Sequence, residues 1–157
     1  MKIGILGGSF DPAHKGHLAI SKEARKRFKL EKIIWAITKK NPLKAESKSP
    51  ISKKIKDCKK IIGLNSFIKV KFYENIIKSN KTIDLINYLK KNKNIEIFFL
   101  MGADNLISFH KWHKSKLISQ KCNILVFDRH GYKKNSLKSK IFKQLSKTNL
   151  EFIEFNK

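Results

Sequence analysis

The chain has 157 residues, a formal charge of +24, 41% hydrophobic residues and only two cysteines. That length and apolar content predict one domain, residues 1–157, with a buried core, and exclude disorder. No apolar run nears the roughly 20 residues of a membrane span, and the cysteines are too few for a disulfide framework.

The charge predicts attraction to anions. The lysines run along the whole chain and, with Asn and Ile, read as the residue usage of an AT-rich genome. No zinc-finger spacing, RNP-like aromatic motif or basic zipper accompanies them, so no specific nucleic-acid partner is expected. The chain opens directly on a strand pattern with no signal peptide, and Cys122 opens an apolar run, as a buried thiol does. A reducing cytoplasm is the expected compartment.

In chain order, Lys2–Leu6 is the first predicted strand and Gly16–Phe28 the first helix, amphipathic from Leu18. Ile33–Ile37 is the second strand. Lys39 to Ser49 is polar, bounded by Pro50 and containing Pro42, and reads as a loop. Ser52–Ile62 has helical spacing, Phe67–Phe72 is the third strand, and Thr82–Lys91 is a helix with Thr82 as its N-cap. Glu96–Met101 and Asn123–Phe127 are strands, Leu137–Leu145 is a short helix and Glu151–Phe155 a last strand. Continuous apolar strands separated by helices predict an α/β fold, a doubly wound parallel sheet covered on both faces. Ligands in such folds bind beyond the carboxyl ends of the strands, where the strand order reverses.

The segment Gly7-Gly8-Ser9-Phe10-Asp11-Pro12-Ala13-His14-Lys15-Gly16-His17 joins the first strand to the first helix. A small-residue turn before a helix N-terminus favours an anion, through free N–H groups and the helix dipole. Gly7 and Gly8 are expected to turn with positive φ, Pro12 to stiffen the loop and Gly16 to leave space. His14 and His17 are three apart and face one side, within reach of one phosphate chain. The pattern is neither GxGxxG nor GxxxxGK[ST].

This string resembles the HxGH motif of the nucleotidylyltransferase superfamily, and its full form is most similar to the bacterial nicotinate-nucleotide adenylyltransferase family. The resemblance implies a Rossmann-like nucleotidylyltransferase fold and transfer of AMP from ATP to nicotinate mononucleotide, giving deamido-NAD and pyrophosphate. It implies His14 and His17 as catalytic phosphate donors. Gly7, Gly8, Ser9, Phe10 and Gly16 would line the nucleotide.

Further matches follow the later strands. Asn41-Pro42-Leu43-Lys44 resembles a family segment whose lysine, here Lys44, neutralises phosphate. Lys81-Thr82-Ile83-Asp84-Leu85 resembles the helix start that holds the nicotinate, implicating Thr82; family members often carry an aromatic residue where Lys81 stands. Gly102-Ala103-Asp104-Asn105-Leu106 with Phe109-His110-Lys111-Trp112-His113 resembles the GADxL…W segment. There Asp104 accepts from a ribose and a half-exposed Trp112 stacks on the pyridine ring, the alternative for Trp112 being core packing. In Asp128-Arg129-His130-Gly131-Tyr132, Arg129 holds either the turn or a phosphate. His110, His113 and His130 lack a zinc-site spacing. No protein metal site is therefore expected, and Mg2+ would come on the ATP phosphates and water.

Family members usually continue past the last strand into a Ser-Ser-Thr-x-Ile-Arg-like segment, which this sequence lacks before Lys157. A non-catalytic nucleotide-binding remnant is thus the second expectation. The runner-up enzyme is phosphopantetheine adenylyltransferase, another member of the superfamily, which the short length favours; that family usually has threonine where His14 stands here.

Overall fold

The computed structural model describes residues 1–8, 10, 12–39, 50–92, 94–102, 109–128 and 150–154. Six parallel strands form one sheet: β1 (Lys2–Gly8), β2 (Lys32–Ile37), β3 (Ile68–Lys71), β4 (Glu96–Gly102), β5 (Asn123–Asp128) and β6 (Leu150–Glu154). Their spatial order is β3-β2-β1-β4-β5-β6, so the winding reverses between β1 and β4. The doubly wound parallel sheet is as expected. The strand ends at Lys2, Ile37, Glu96 and Asn123 fall where expected and the others lie within two residues; pairing prolongs β1 and β4 at their carboxyl ends, where Gly8 pairs with Ile37 and Gly102 with Phe127.

Side chains alternate across the pleat and divide the core in two. Ile3, Ile5, Ile34, Ala36, Phe99 and Met101 face one layer. That layer contains α4 (Thr82–Leu89), a 3-10 turn (Phe109–Lys111) and α5 (Ser115–Lys121). Leu6, Ile33, Trp35, Ile37, Phe98 and Leu100 face the other, which holds α1 (Lys15–Phe28) and α2 (Ile51–Ile62). A short α3 (Glu74–Ile77) precedes α4. The sheet is buried from both sides, which is why its strands read as unbroken apolar runs.

Helix α1 buries Gly16, Ile20, Ser21 and Ala24, and its last turn carries Arg25, Lys26 and Arg27, favourable against the negative end of its dipole. Helix α2 ends at Gly63, whose φ of 56° lies in the left-handed region that glycine tolerates. Among the described residues no helix is long and apolar enough to cross a membrane. The expected helix Leu137–Leu145, nearly all of the expected Lys39–Ser49 loop, and Phe155 lie outside the described residues.

Cys58 and Cys122 are free and buried. Burial, with the Asp57 charge adding and Lys54 opposing, pushes the Cys58 thiol from an ordinary 9.0 to about 12. Burial, opposed by Lys90, pushes Cys122 to about 12 as well. Both thiols are therefore expected to resist a disulfide reagent at pH 8, because the thiolate is the nucleophile. The unfolded chain loses these protons near 9 and the folded chain near 12. Stability should thus be insensitive to these thiols below pH 9 and fall as pH rises from 9 toward 12. Rapid labelling of the folded protein, followed by mass spectrometry, would contradict this.

Candidate active site

The carboxyl end of β1 lies at the reversal of the winding, the crevice position of doubly wound sheets. Gly7 and Gly8 do not make the expected positive-φ turn. They stay extended in β1, paired with Ala36 and Ile37, and Thr38 N–H donates to the Gly8 carbonyl at 2.9 Å. Among the described residues of this segment the positive φ falls on Phe10, at 49°. For a side chain with a Cβ this costs roughly 1–2 kcal/mol. The ring offsets it by burial: Phe10 is 3% exposed and lies 5.2 Å from the Trp35 ring at 18°, nearly stacked.

The two glycines separate two aromatic groups. A Cβ on Gly7 would meet the Phe99 ring at 3.6 Å, and one on Gly8 would meet the Phe10 ring at 3.8 Å. Phe99 in turn makes an edge contact with Trp112, and Phe10 lies 4.6 Å from the His17 ring. The end of β1 thus stands between the histidine side and the Trp112 side of the crevice.

His14 is the N-cap of α1 and has extended backbone, so it precedes the first turn where it was expected to sit. Its Nδ1 accepts from Gly16 N–H at 3.1 Å, while His14 N–H donates to His17 Nδ1 at 3.1 Å. This is a capping box built from two imidazoles in place of the usual Ser/Thr and Glu. It brings the rings to 3.9 Å between centroids. Both Nδ1 atoms accept from backbone N–H groups, so in the neutral rings the proton sits on Nε2, making Nε2–H the donor. The first turn of α1 holds no acidic residue, and Gly16 is buried within it. The helix dipole therefore meets no protein carboxylate in that turn.

Thr82 is not the N-cap of α4. It is the first helical residue, Lys81 is the cap, and no side chain caps the end. Ser79 Oγ instead accepts from Lys81 N–H at 3.0 Å and donates to Asp84 Oδ2 at 2.5 Å. Asp84 already places a carboxylate in the first turn of α4, which weakens that turn as a seat for another anion.

Trp112 is half-buried, with edge contacts to Phe99 at 5.8 Å and Phe109 at 5.0 Å. It therefore packs against the core on one side and stays partly exposed. Ser9, Lys44, Asp104 and Arg129 lie outside the described residues, as do Asp11, Ala103, Asn105, Leu106, His130, Gly131 and Tyr132.

A polar cluster beside the exit of β2 was not anticipated. Lys54, 1% exposed, donates from Nζ to the Thr38 carbonyl at 3.2 Å. Glu74 Oε1 accepts from Lys39 N–H at 3.2 Å. Burial raises the Glu74 carboxyl, against the Lys39 hydrogen bond and the Lys54 charge. Thr38 Oγ1 and Glu74 Oε2 are buried without a hydrogen-bond partner among the described residues. The available signal was a lysine on the apolar stripe Ile51, Cys58, Ile62.

The paired imidazoles thus stand where the winding of the parallel sheet reverses. The family described as cytidylyltransferase-like matches residues 5–153. A probable nicotinate-nucleotide adenylyltransferase of Pelagibacter ubique is 65% identical over 156 residues, which are 99% of this chain and 87% of that protein. One of Rhizobium johnstonii is 33% identical, over 90% of this chain and 71% of that protein. The chain belongs to the nicotinate-nucleotide adenylyltransferase family. In fold it is similar to Plasmodium falciparum nicotinic acid mononucleotide adenylyltransferase solved in complex with NaAD. The TM-score is 0.75 at 19% identity, over 98% of this chain and 75% of that one.

Proposed function

We propose that the chain transfers AMP from ATP to nicotinate mononucleotide, releasing pyrophosphate and giving deamido-NAD. The reading rests chiefly on the two imidazoles held 3.9 Å apart, with Nδ1 of each committed to the cap. The names of its relatives support it. The mononucleotide phosphate attacks the α-phosphorus of ATP in line. A new P–O bond forms while the bond to the bridging oxygen breaks, and pyrophosphate leaves with that electron pair. No protein nucleophile is required; alignment and charge stabilisation carry the step.

His14 and His17 donate to phosphate oxygens as charge develops, and the backbone of Gly7, Gly8, Ser9 and Phe10 lines the nucleotide, with Gly16 at the helix start. Lys44 and Arg129 are assigned to phosphate charge, and Thr82, Asp104 and Trp112 to the acceptor. Magnesium would come with the triphosphate, held by phosphate oxygens and water, and would supply positive charge there. Among the described residues no group of three His, Cys, Asp or Glu side chains is gathered to hold a metal ion. The reaction belongs in the cytoplasm in this reading.

Supplied with ATP and nicotinate mononucleotide, the protein should release pyrophosphate and form deamido-NAD; phosphopantetheine in place of the mononucleotide should give neither product. Transfer to phosphopantetheine alone would overturn the proposal. Trp112→Ala is expected to weaken mononucleotide binding about fivefold, on the order of 1 kcal/mol, and to leave ATP binding nearly unchanged. Equal losses for both ligands in calorimetry would make Trp112 a packing residue only.

A further inference from the structure

Trp35, at the centre of β2, is fully buried, and so is Ser21 on α1. The indole Nε1–H donates to Ser21 Oγ at 2.9 Å, and Ser21 Oγ–H donates to the His17 carbonyl at 2.8 Å. A serine bonding back to the carbonyl four residues earlier is common in helices. Here the same oxygen also receives a donor from the sheet. The first turn of α1 is therefore tied to β2 through a two-bond buried chain. The indole touches His17 a second time: their rings lie 5.7 Å apart at 57°, and Phe10 closes the triangle at 4.6 Å from His17 and 5.2 Å from Trp35.

We infer that Trp35 and Ser21 are positioning residues for His17. The hydrogen-bonded chain sets the height of its backbone and the ring triangle sets the tilt of its imidazole, so that together they aim the Nε2–H donor. Neither residue touches substrate in this account, which rests on the adenylyl-transfer reading. Losing Ser21 leaves the Trp35 Nε1–H buried without its acceptor, and losing the indole leaves Ser21 with only its bond to the His17 carbonyl. The arrangement thus discriminates against small displacements of α1 along the sheet, and displacement of a catalytic donor by about 1 Å can cost up to a hundredfold in rate.

The test uses Ser21→Ala, which removes both bonds, and Trp35→Phe, which keeps an aromatic ring and removes the indole donor. Each is expected to lower kcat about tenfold with little change in KM for either substrate. Because the two act through one chain, the double variant should fall no more than about twofold below the worse single variant. The 15N resonances of the His17 imidazole should shift in Ser21→Ala while those of the exposed His113 stay in place. Folded Ser21→Ala and Trp35→Phe that keep kcat and leave the His17 resonances unmoved would overturn the inference. If the unaltered chain transfers no AMP, the activity reading fails, and the His17 resonances alone decide the positioning role. Should Trp35→Phe fail to fold, Ser21→Ala carries both readouts.

Discussion

Replacing His17 by alanine is expected to slow AMP transfer by about a hundredfold or more, roughly 3–4 kcal/mol, while mononucleotide affinity changes far less. The argument starts from the cap. His17 Nδ1 accepts from the His14 N–H, which fixes the ring's orientation and keeps the neutral ring's proton on Nε2. A donor fixed before the reaction does most for the charge that develops during it, which is why kcat should fall more than affinity does. His14 keeps its bond from Gly16, so half of the cap survives the substitution and the helix should still form. The check is steady-state pyrophosphate release beside calorimetric binding. Turnover close to that of the unaltered protein would remove His17 from the mechanism.

Phe109→Ala should cost about 3–5 kcal/mol of stability, the range for emptying a buried aromatic site. Phe109 is 0% exposed and sits in the core layer with Phe99 and Met101, with its ring 5.0 Å from Trp112. The 3-10 turn that carries it bonds Trp112 N–H to the Phe109 carbonyl at 2.9 Å, so the cavity would open directly beneath Trp112. Against a total of about 5–15 kcal/mol for an ordinary domain, that loss is large. Urea unfolding measures it. A change under about 1 kcal/mol would mean that the site collapses around the smaller side chain.

The strands were legible because a sheet covered on both faces leaves few polar positions, as in Ile97-Phe98-Phe99-Leu100-Met101. The histidine pair was legible because residues three apart at a helix start meet through local geometry alone. Where tertiary pairing decides, local reading failed. Gly7 and Gly8 look like a turn, yet β2 is long enough to keep them in the sheet. Thr82 looks like a cap, but Ser79 has taken over the backbone N–H of Lys81. Helix α5 escaped notice because its lysines and serines mask a single buried turn, entered through Lys114 in the left-handed region. Trp35 and Ser21 are fourteen residues apart, and no spacing rule connects a strand centre to the second turn of a helix on the adjoining layer.

The starts of α1 and α4 differ in one respect. Helix α4 has Asp84 in its first turn, whereas α1 has no acid there and spends both imidazole acceptors on its own N–H groups. Among the described residues no carboxylate stands in the first turn of α1, and a triphosphate bound there would bring negative charge to that end of the dipole. If it binds there, nucleotide would also stabilise the fold: at about a hundred times its dissociation constant, a ligand that binds only the folded form adds roughly 2.7 kcal/mol. A protein capped with Asp at this position would hold its helix without help, and would also hold a negative charge where the phosphates must come.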